Sequence, residues 1–167
     1  MATVYQEFSP GEAEFDSANI PQILSIKGTN YPVPGLAFDA DGDEEAYFNF
    51  MASEYGSGNL TLELEWYADT ATSGVVRWGG SIAAITPNTD SQDIETDALD
   101  TENTADDTHL GTVGQRVHKA SVTISNLDSL AADDRVTLRI RREGSHGNDT
   151  MAGDAILTRA RVSYSDS

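Results

Sequence analysis

An alternation of apolar and polar residues with a period of two constrains the fold of this chain more than any other feature. In the segment 60–66, three leucines and Trp66 fall on one face, while a threonine and two glutamates fall on the other. This spacing is typical of a half-buried β-strand, because successive strand side chains point to opposite faces. It also predicts that Trp66 lies in the core. Similar patterns predict strands at 44–52, 117–126, 135–142 and 154–164, and less regular ones at 22–28, 34–39 and 74–85.

The spacing of these segments indicates an all-β fold. No segment carries the 3.6-residue apolar repeat of a capped helix, and 127–134 is expected to form one helical turn at most. About eight strands joined by turn-rich sequence predict an antiparallel β-sandwich. A jelly roll is favoured over an immunoglobulin-type sandwich, whose cysteine pair is missing from this cysteine-free chain. Gly79-Gly80 predicts a bulge or bend inside the strand 74–85.

The length of 167 residues suits one domain, with two segments outside the predicted core. We expect the sandwich to occupy residues 22–167. Residues 1–21, which mix acidic residues with two prolines, resemble an extended N-terminal arm. Residues 86–110 contain eight acidic residues and neither lysine nor arginine. Because unstructured loops of this length are uncommon and usually functional or disordered, this segment is predicted to be an acidic loop insertion.

The formal charge of −18 excludes several classes of partner. Binding to nucleic acid or to anionic lipid needs a basic surface, so neither is expected. No basic segment followed by an apolar run opens the sequence, so no signal peptide is expected. The charge is uneven: residues 1–110 carry 21 acidic and two basic residues, and 111–167 carry seven acidic and eight basic residues. Either the basic part is an interaction surface, or the two parts interleave and their charges pair.

Two groups of carboxylates are candidates for metal binding or catalysis. Asp39, Asp41 and Asp43 surround a glycine turn and resemble the start of a calcium-binding loop, but the sixth and twelfth positions of that motif do not match. An acidic turn is the favoured interpretation, and no cofactor is expected. Glu63 and Glu65 share one strand face, as the acids of some glycosidases do. Ion pairs with arginines of neighbouring strands are the favoured interpretation for them.

The remaining polar residues do not form a catalytic motif. His109, His118 and His146 lie in separate segments, and the sequence has neither a serine nucleophile elbow nor a zinc-binding histidine spacing. We therefore expect no nucleophilic catalytic triad. His118 alternates onto the inward face, which favours a core or interface imidazole over a metal ligand.

Aromatic residues provide an alternative to catalysis, because Tyr and Trp rings can stack on sugars as well as fill a core. The candidates are Tyr47, Tyr55, Trp66, Tyr67 and Trp78. Tyr47 and Tyr67 are predicted to point outward and remain open to either interpretation. The glycine- and aspartate-rich turn at 144–154 either contacts a ligand or is a loop at the end of the sandwich, which is favoured.

Several segments of the sequence resemble those of small jelly-roll virion proteins of tailed bacteriophages. The first is Tyr-Phe-Asn-Phe at 47–50, and the second is the predicted strand pair 60–66 and 71–78. The last consists of Arg142, residues 148–154 and a final strand that ends at Tyr164. The similarity covers roughly residues 44–86 and 135–164. It implies a non-enzymatic capsid decoration (cement) protein or a head or tail fibre subunit, commonly a trimer. It also implies location in the virion, assembled in the host cytoplasm.

Three functional hypotheses follow from these observations. The first is a decoration protein that binds and stabilises the major capsid protein lattice as an oligomer. The alternative is a tail or fibre receptor-binding module that recognises carbohydrate through its outward tyrosines and the turn 144–154. The third is a glycan-active enzyme using Glu63 and Glu65. The residues predicted to contact a partner are Tyr5, Phe8, Phe15, Tyr47, Tyr67, Asp97, Asp100, Arg139, Arg141, Arg159 and Arg161.

Overall fold

A computed structural model describes all residues from Met1 to Ser167. It contains ten strands and one short 3₁₀ helix at Pro10–Glu12. The strands are β1 (Thr3–Phe8), β2 (Gln22–Leu24), β3 (Gly35–Phe38), β4 (Asp43–Met51), β5 (Ser57–Ala68), β6 (Val75–Ile85), β7 (Asn103–Thr108), β8 (His118–Ile124), β9 (Arg135–Glu143) and β10 (Ala155–Ser165). The structure has no helix whose length and hydropathy would let it span a membrane.

The strands form two antiparallel sheets that pack face to face. The six-stranded sheet has the order β2-β3-β10-β5-β8, and β1 also pairs with β10. The four-stranded sheet has the order β4-β9-β6-β7. From β3 onward the chain passes from one sheet to the other at every connection except that between β6 and β7. This arrangement confirms the predicted antiparallel β-sandwich of jelly-roll type.

The apolar face of each alternating strand lies between the two sheets, as the sequence pattern predicts. Trp66 on β5 and Trp78 on β6 are completely buried, and their ring centroids are 6.3 Å apart. Trp66 therefore lies in the core, as expected from its register with three leucines. The opposite strand faces carry the polar residues and form the two outer surfaces of the sandwich.

The prediction of an extended N-terminal arm is wrong for residues 3–8, because these residues form β1. This strand pairs with β10 from Thr3 opposite Ser165 to Phe8 opposite Ala160. Phe8 was a predicted partner contact, but only 6% of it is exposed, and its ring lies 5.2 Å from that of Phe48 in the core. The sequence signal was missed because β1 is short and its alternation includes a glutamine and a glutamate.

The prediction of an acidic loop over 86–110 is also wrong in part, because residues 103–108 form β7. This strand pairs with β6, from Asn103 opposite Gly80 to Thr108 opposite Val75. It lies at the edge of its sheet and contains no large apolar residue, so its sequence lacks the alternation by which the other strands were recognised. The segment between β6 and β7 is thereby shortened to residues 86–102.

Two local predictions need correction as well. Gly79-Gly80 causes no bulge, since β6 pairs with β9 in unbroken register across both residues. Glycine at position 79 instead leaves space for the carboxylate of Glu102, which would lie 2.5 Å from an added Cβ atom. Residues 127–134 form turns rather than a helical turn, with Asp128 and Ser129 in the left-handed region of φ.

A buried arginine ties one end of the sandwich together. Arg142 on β9 is fully buried and forms a bidentate ion pair with Asp149, with N–O distances of 3.0 and 2.8 Å. Its guanidinium also donates to the carbonyl oxygens of Phe38, Met151 and Gly153. The turn 144–154 is therefore a structural element at the end of the sandwich, consistent with its favoured interpretation.

We predict that Phe8→Ala lowers the free energy of unfolding by about 3 kcal/mol, because truncating a buried phenylalanine leaves a cavity. Tyr5→Ala is the matched control on the same strand, since Tyr5 is 54% exposed and should tolerate truncation. Urea unfolding of both variants measures the difference. Equal and small losses would show that β1 does not hold its place in the sheet.

Candidate functional site

A cleft crosses the outer face of the four-stranded sheet and has a volume of about 500 Å³. Its floor comes from three adjacent strands, because residues at alternate positions of β4, β9 and β6 project outward together. These floor residues are Tyr47, Asn49, Arg135, Thr137, Ala83 and Ile85. The small side chain of Ala83 leaves space above the floor, so the cleft is open between the two segments that form its walls.

One wall of the cleft is an extension of the sheet beyond β4. Glu14 N donates to the Tyr47 carbonyl at 2.8 Å, and Tyr47 N donates to the Glu14 carbonyl at 2.9 Å. Glu14, Phe15 and Asp16 line the cleft along this side. Phe15, a predicted partner contact, also packs against the core and so fixes the wall.

The second wall is residues 94–99, part of the segment that the sequence identified as an acidic loop. Ile94, Glu95, Asp97 and Leu99 line the cleft on this side. The segment then returns to the edge of β6, where Asp100 N donates to the Ile82 carbonyl at 2.8 Å. The Asp100 carboxylate accepts a bond from Asp128 N, so this predicted contact residue holds the chain in place.

Glu102 anchors the end of this segment on the sheet. Its carboxylate lies 3.1 Å from the guanidinium groups of both Arg139 and Arg141, above Gly79. Burial raises the pKa of Glu102, while the charges of Arg141 and Arg139 oppose the shift. Arg139 and Arg141 were predicted partner contacts, but the structure uses them within the chain.

A second group of ion pairs lies on the same outer face, nearer the end of the four-stranded sheet. Arg77 contacts Asp106 at 2.7 Å and Glu143 at 2.5 Å. Burial opposes the ionisation of Glu143, but hydrogen bonds from Arg77 and Arg141 outweigh it and lower the pKa. The structure thus confirms that acidic and basic parts of the chain interleave and pair.

The polar groups on the cleft floor form a connected hydrogen-bond network. Asn49 Oδ1 accepts from Arg135 Nη2 at 3.1 Å and from Thr137 Oγ1 at 3.0 Å. The Tyr47 hydroxyl donates to Glu45 at 2.8 Å. Burial, with this bond to Glu45, raises the pKa of Tyr47 to about 12, so the phenol stays protonated at neutral pH. Beside the floor, Asp97 Oδ2 is buried without a hydrogen-bond partner.

Apolar surface completes the cleft. Ile94 is largely exposed, and Leu99, Ile85 and the ring of Tyr47 lie near the polar network. A surface of this kind can contact the apolar face of a ring and hydrogen-bond its polar edge at the same time. The outward alternation of their strands was the available signal for Asn49, Arg135 and Thr137. Ile94 and Leu99 had no such signal.

The other predicted contact residues lie on the opposite outer face, that of the six-stranded sheet. Tyr5 on β1 lies under the guanidinium of Arg161, at 4.7 Å from its ring centroid. Arg159 is half exposed and contacts Glu7 at 3.9 Å. Tyr67 also belongs to this face, but the segment around β2 covers it. The structure therefore does not bring the predicted contact residues together into one patch.

Glu63 and Glu65 are paired with cations, as the favoured interpretation predicted. Glu63 contacts Arg161 and lies 2.6 Å from Lys119, while Glu65 lies 3.8 Å from Arg159. Hydrogen bonds from Lys119 and Arg161 lower the pKa of Glu63. Since a general acid in glycoside hydrolysis needs a raised pKa, this environment disfavours the glycosidase hypothesis.

The calcium hypothesis is not supported by the geometry of the acidic turn. Asp39 Oδ1 accepts from Asp41 N at 2.8 Å, and Asp43 Oδ1 accepts from Ser145 N and Oγ at 3.0 and 2.8 Å. No group of three or more histidine, aspartate or glutamate side chains converges anywhere in the structure in a way that could hold a metal ion. Asp39 thus stabilises the turn itself, and Asp43 ties it to the turn after β9.

A second pocket, which we call the Tyr67 pocket, lies on the outer side of the six-stranded sheet and measures about 480 Å³. It is enclosed by residues 27–33, by the ends of β5 and β10, and by the loop before β8. Its lining residues are Lys27, Gly28, Thr29, Asn30, Tyr31, Val33, Glu65, Tyr67, Gln115, Val117 and Thr158.

Two buried histidines shape the loop that forms one side of the Tyr67 pocket. His118 stacks on Trp66, with ring centroids 4.4 Å apart, and its Nε2 accepts a bond from Leu110 N at 2.9 Å. His109 Nδ1 accepts from Gly111 N at 2.9 Å, and its Nε2 lies 3.0 Å from the Gly114 carbonyl. His118 is thus neutral, because its Nε2 acts as an acceptor. His118 is a core imidazole, as its alternation predicted.

Comparison with solved structures finds similarity, at low sequence identity and with TM-scores below 0.5, to several carbohydrate-binding modules. The CBM36-1 domain of a multidomain xylanase from the hindgut metagenome of Trinervitermes trinervoides is 8% identical, with a TM-score of 0.49 over 95% of this chain and 96% of that one. The mannan-recognising module TmCBM27 is 11% identical, with a TM-score of 0.45 over 99% of each chain. CBM35 from Cellvibrio japonicus Abf62 is 9% identical, with a TM-score of 0.45 over 95% and 92%. No family model and no curated protein sequence matches the chain.

We predict that the stabilising contribution of His118 falls as the pH falls. Burial and the neighbouring His109 lower its pKa below the ordinary value of 6.5, and Asp107 opposes them only in part. The neutral form that accepts the Leu110 bond is therefore fully present above about pH 6.5 and is lost as the pH drops through the lowered pKa.

The measurement is the free energy of unfolding of the native protein and of His118→Gln at pH 7.5 and 5.0. The advantage of the native protein should shrink at the lower pH. His146→Gln, at an exposed histidine, is the control and should leave the native pH dependence unchanged. A constant difference between the native protein and His118→Gln would contradict this account.

Proposed function

We propose that this protein is a non-catalytic carbohydrate-binding module that holds a glycan in the cleft on its four-stranded sheet. The observation that carries the proposal is the composition of the cleft floor. The ring of Tyr47 lies beside a network of amide, guanidinium and hydroxyl groups from Asn49, Arg135 and Thr137. This function corresponds to the carbohydrate-binding alternative among the sequence-based hypotheses.

Sugars match this surface in chemistry. A sugar ring presents C–H groups on its faces and hydroxyl groups around its edge, so its site must combine apolar and hydrogen-bonding surface. In the cleft, Tyr47 and Ile94 supply apolar contact. The Nδ2 amide group of Asn49 and the N–H groups of Arg135 that the network leaves unused can donate to sugar hydroxyls. The unpartnered Oδ2 of Asp97 provides a further acceptor at the wall.

The open shape of the cleft favours an extended chain over a single sugar. It runs between 14–16 and 94–99 without a closing loop, so neighbouring sugar units can lie along it. Both walls are tied to the sheet by backbone bonds. A site formed in advance loses little conformational entropy when it binds, and this improves affinity.

Binding without catalysis fits the placement of the acidic groups. Glu63 and Glu65, the acids of the glycosidase hypothesis, lie on the opposite face in ion pairs, and the cleft carries its own carboxylates, those of Glu14, Asp16, Glu95 and Asp97, on its walls. Attachment to a capsid lattice, trimer formation and location in a virion stay predictions of the sequence. A glycan-binding module is compatible with the receptor-binding role within that group.

We predict that Tyr47→Ala weakens glycan binding at least tenfold, which corresponds to about 1.4 kcal/mol of binding free energy. The loss follows from removing the ring that stacks on the sugar. A glycan array identifies the ligand, and calorimetric titration measures the affinity of the native protein and the variant.

Tyr5→Ala is the matched control, because it removes an exposed tyrosine from the opposite face. It should bind as the native protein does. If both variants bind equally well, the glycan does not occupy the cleft. If no glycan on the array binds the native protein, the proposed function is wrong.

A further inference from the structure

The hydroxyl of Tyr67 is one of several buried polar side-chain atoms without a hydrogen-bond partner in the chain, and it belongs to a residue that lines a pocket. The side chain lies on the outer face of β5, where it was predicted to point outward, yet only 5% of the residue is exposed. It packs against Ala37, Ile156, Leu24 and Val33. Its Oη is buried and has no hydrogen-bond partner within the chain.

A buried hydroxyl without a hydrogen-bond partner lowers the stability of the folded protein. Burying a hydroxyl without a hydrogen bond is unfavourable, whereas phenylalanine would fill the same space without that penalty. Burial also raises the pKa of Tyr67, so the group remains a neutral phenol able to donate and accept. A ligand that hydrogen-bonds Oη would remove the penalty upon binding.

The surroundings of Tyr67 form a small site with both apolar and polar walls. Val33 and Val117 contribute apolar surface, and Tyr31, which is 72% exposed, presents its ring at the pocket. Asn30 and Gln115 line the pocket as well, and the Gln115 side-chain amide donates to the Asp69 carbonyl. The loop that carries Gln115 and Val117 is fixed in advance by the bonds of His109 and His118.

The charged groups at this pocket are already paired. Lys27 contacts Asp69 at 2.5 Å, and Glu65 lies 3.8 Å from Arg159. Neither group is free to neutralise an ionic ligand. An uncharged ligand with hydroxyl groups and an apolar ring face therefore fits the pocket better than an anion or a cation.

We propose that the Tyr67 pocket is a second binding site, which takes one neutral sugar ring and hydrogen-bonds it through the Tyr67 hydroxyl. This inference goes beyond the proposed function, because the two sites lie on opposite faces of the sandwich and are built from different strands. They cannot act on adjacent units of one straight chain. With both sites occupied, the protein links two separate glycans.

The test is titration of the full ¹⁵N-labelled protein with glucose, galactose, mannose, xylose and N-acetylglucosamine, followed by amide chemical shifts. At least one of these sugars should shift the signals of 27–33 and 115–117. Tyr67→Phe should weaken that response at least tenfold while its melting temperature stays equal to or above that of the native protein. Tyr31→Ala, at an exposed position, should weaken it as well.

Tyr47→Ala is the control that separates this proposal from the glycan cleft, and it should leave the monosaccharide response unchanged. The proposal is overturned if none of the five sugars shifts the pocket signals. It is also overturned if the response survives unchanged in Tyr67→Phe, which lacks only the hydroxyl. Either outcome leaves the cleft to be judged by its own oligosaccharide binding, which Tyr47→Ala tests.

Discussion

The contact of Glu102 with Arg139 and Arg141 is the interaction on which the cleft depends. It fixes the end of the segment 86–102 on the outer face of the four-stranded sheet, above a glycine that leaves space for the carboxylate. The segment can then place 94–99 opposite 14–16 and wall the cleft. Part of the high negative charge thus has a local structural role, because a largely acidic segment is attracted to the arginine-rich strand β9 over which it folds.

A second constraint is the buried Arg142, which holds one end of the sandwich together. Arg142 is buried among carbonyl oxygens and pairs with Asp149, so β9 is fixed to the turn before β10. The same strand carries Arg135, Thr137 and Arg139 on its outer face. Removing a buried partner of this kind is strongly destabilising, because it leaves an uncompensated charge. The position of the floor residues therefore depends on the integrity of β9.

Much of the fold could be predicted because alternation depends only on local sequence. Eight strands and the inward orientation of Trp66 and His118 follow from it. Strand register does not follow from alternation, so the sequence could not reveal that Asn49 lies opposite Thr137.

Two strands were missed for different reasons: β7 because an exposed edge strand needs no apolar face, and β1 because it is short. Arg142 was detectable in principle, since it is in phase with Val136, Leu138 and Ile140. For the site, Tyr47, Phe15 and Asp97 were predicted individually, but their convergence needs tertiary structure.

The most direct test of the central claim is a map of amide chemical shifts on adding the oligosaccharide that binds best on the glycan array. The account predicts that the shifted signals cluster at 14–16, 47–49, 94–99 and 135–137, on both walls and the floor of the cleft. Shifts confined to the opposite face of the sandwich, or spread without a cluster, would contradict the assignment of the cleft as the glycan site.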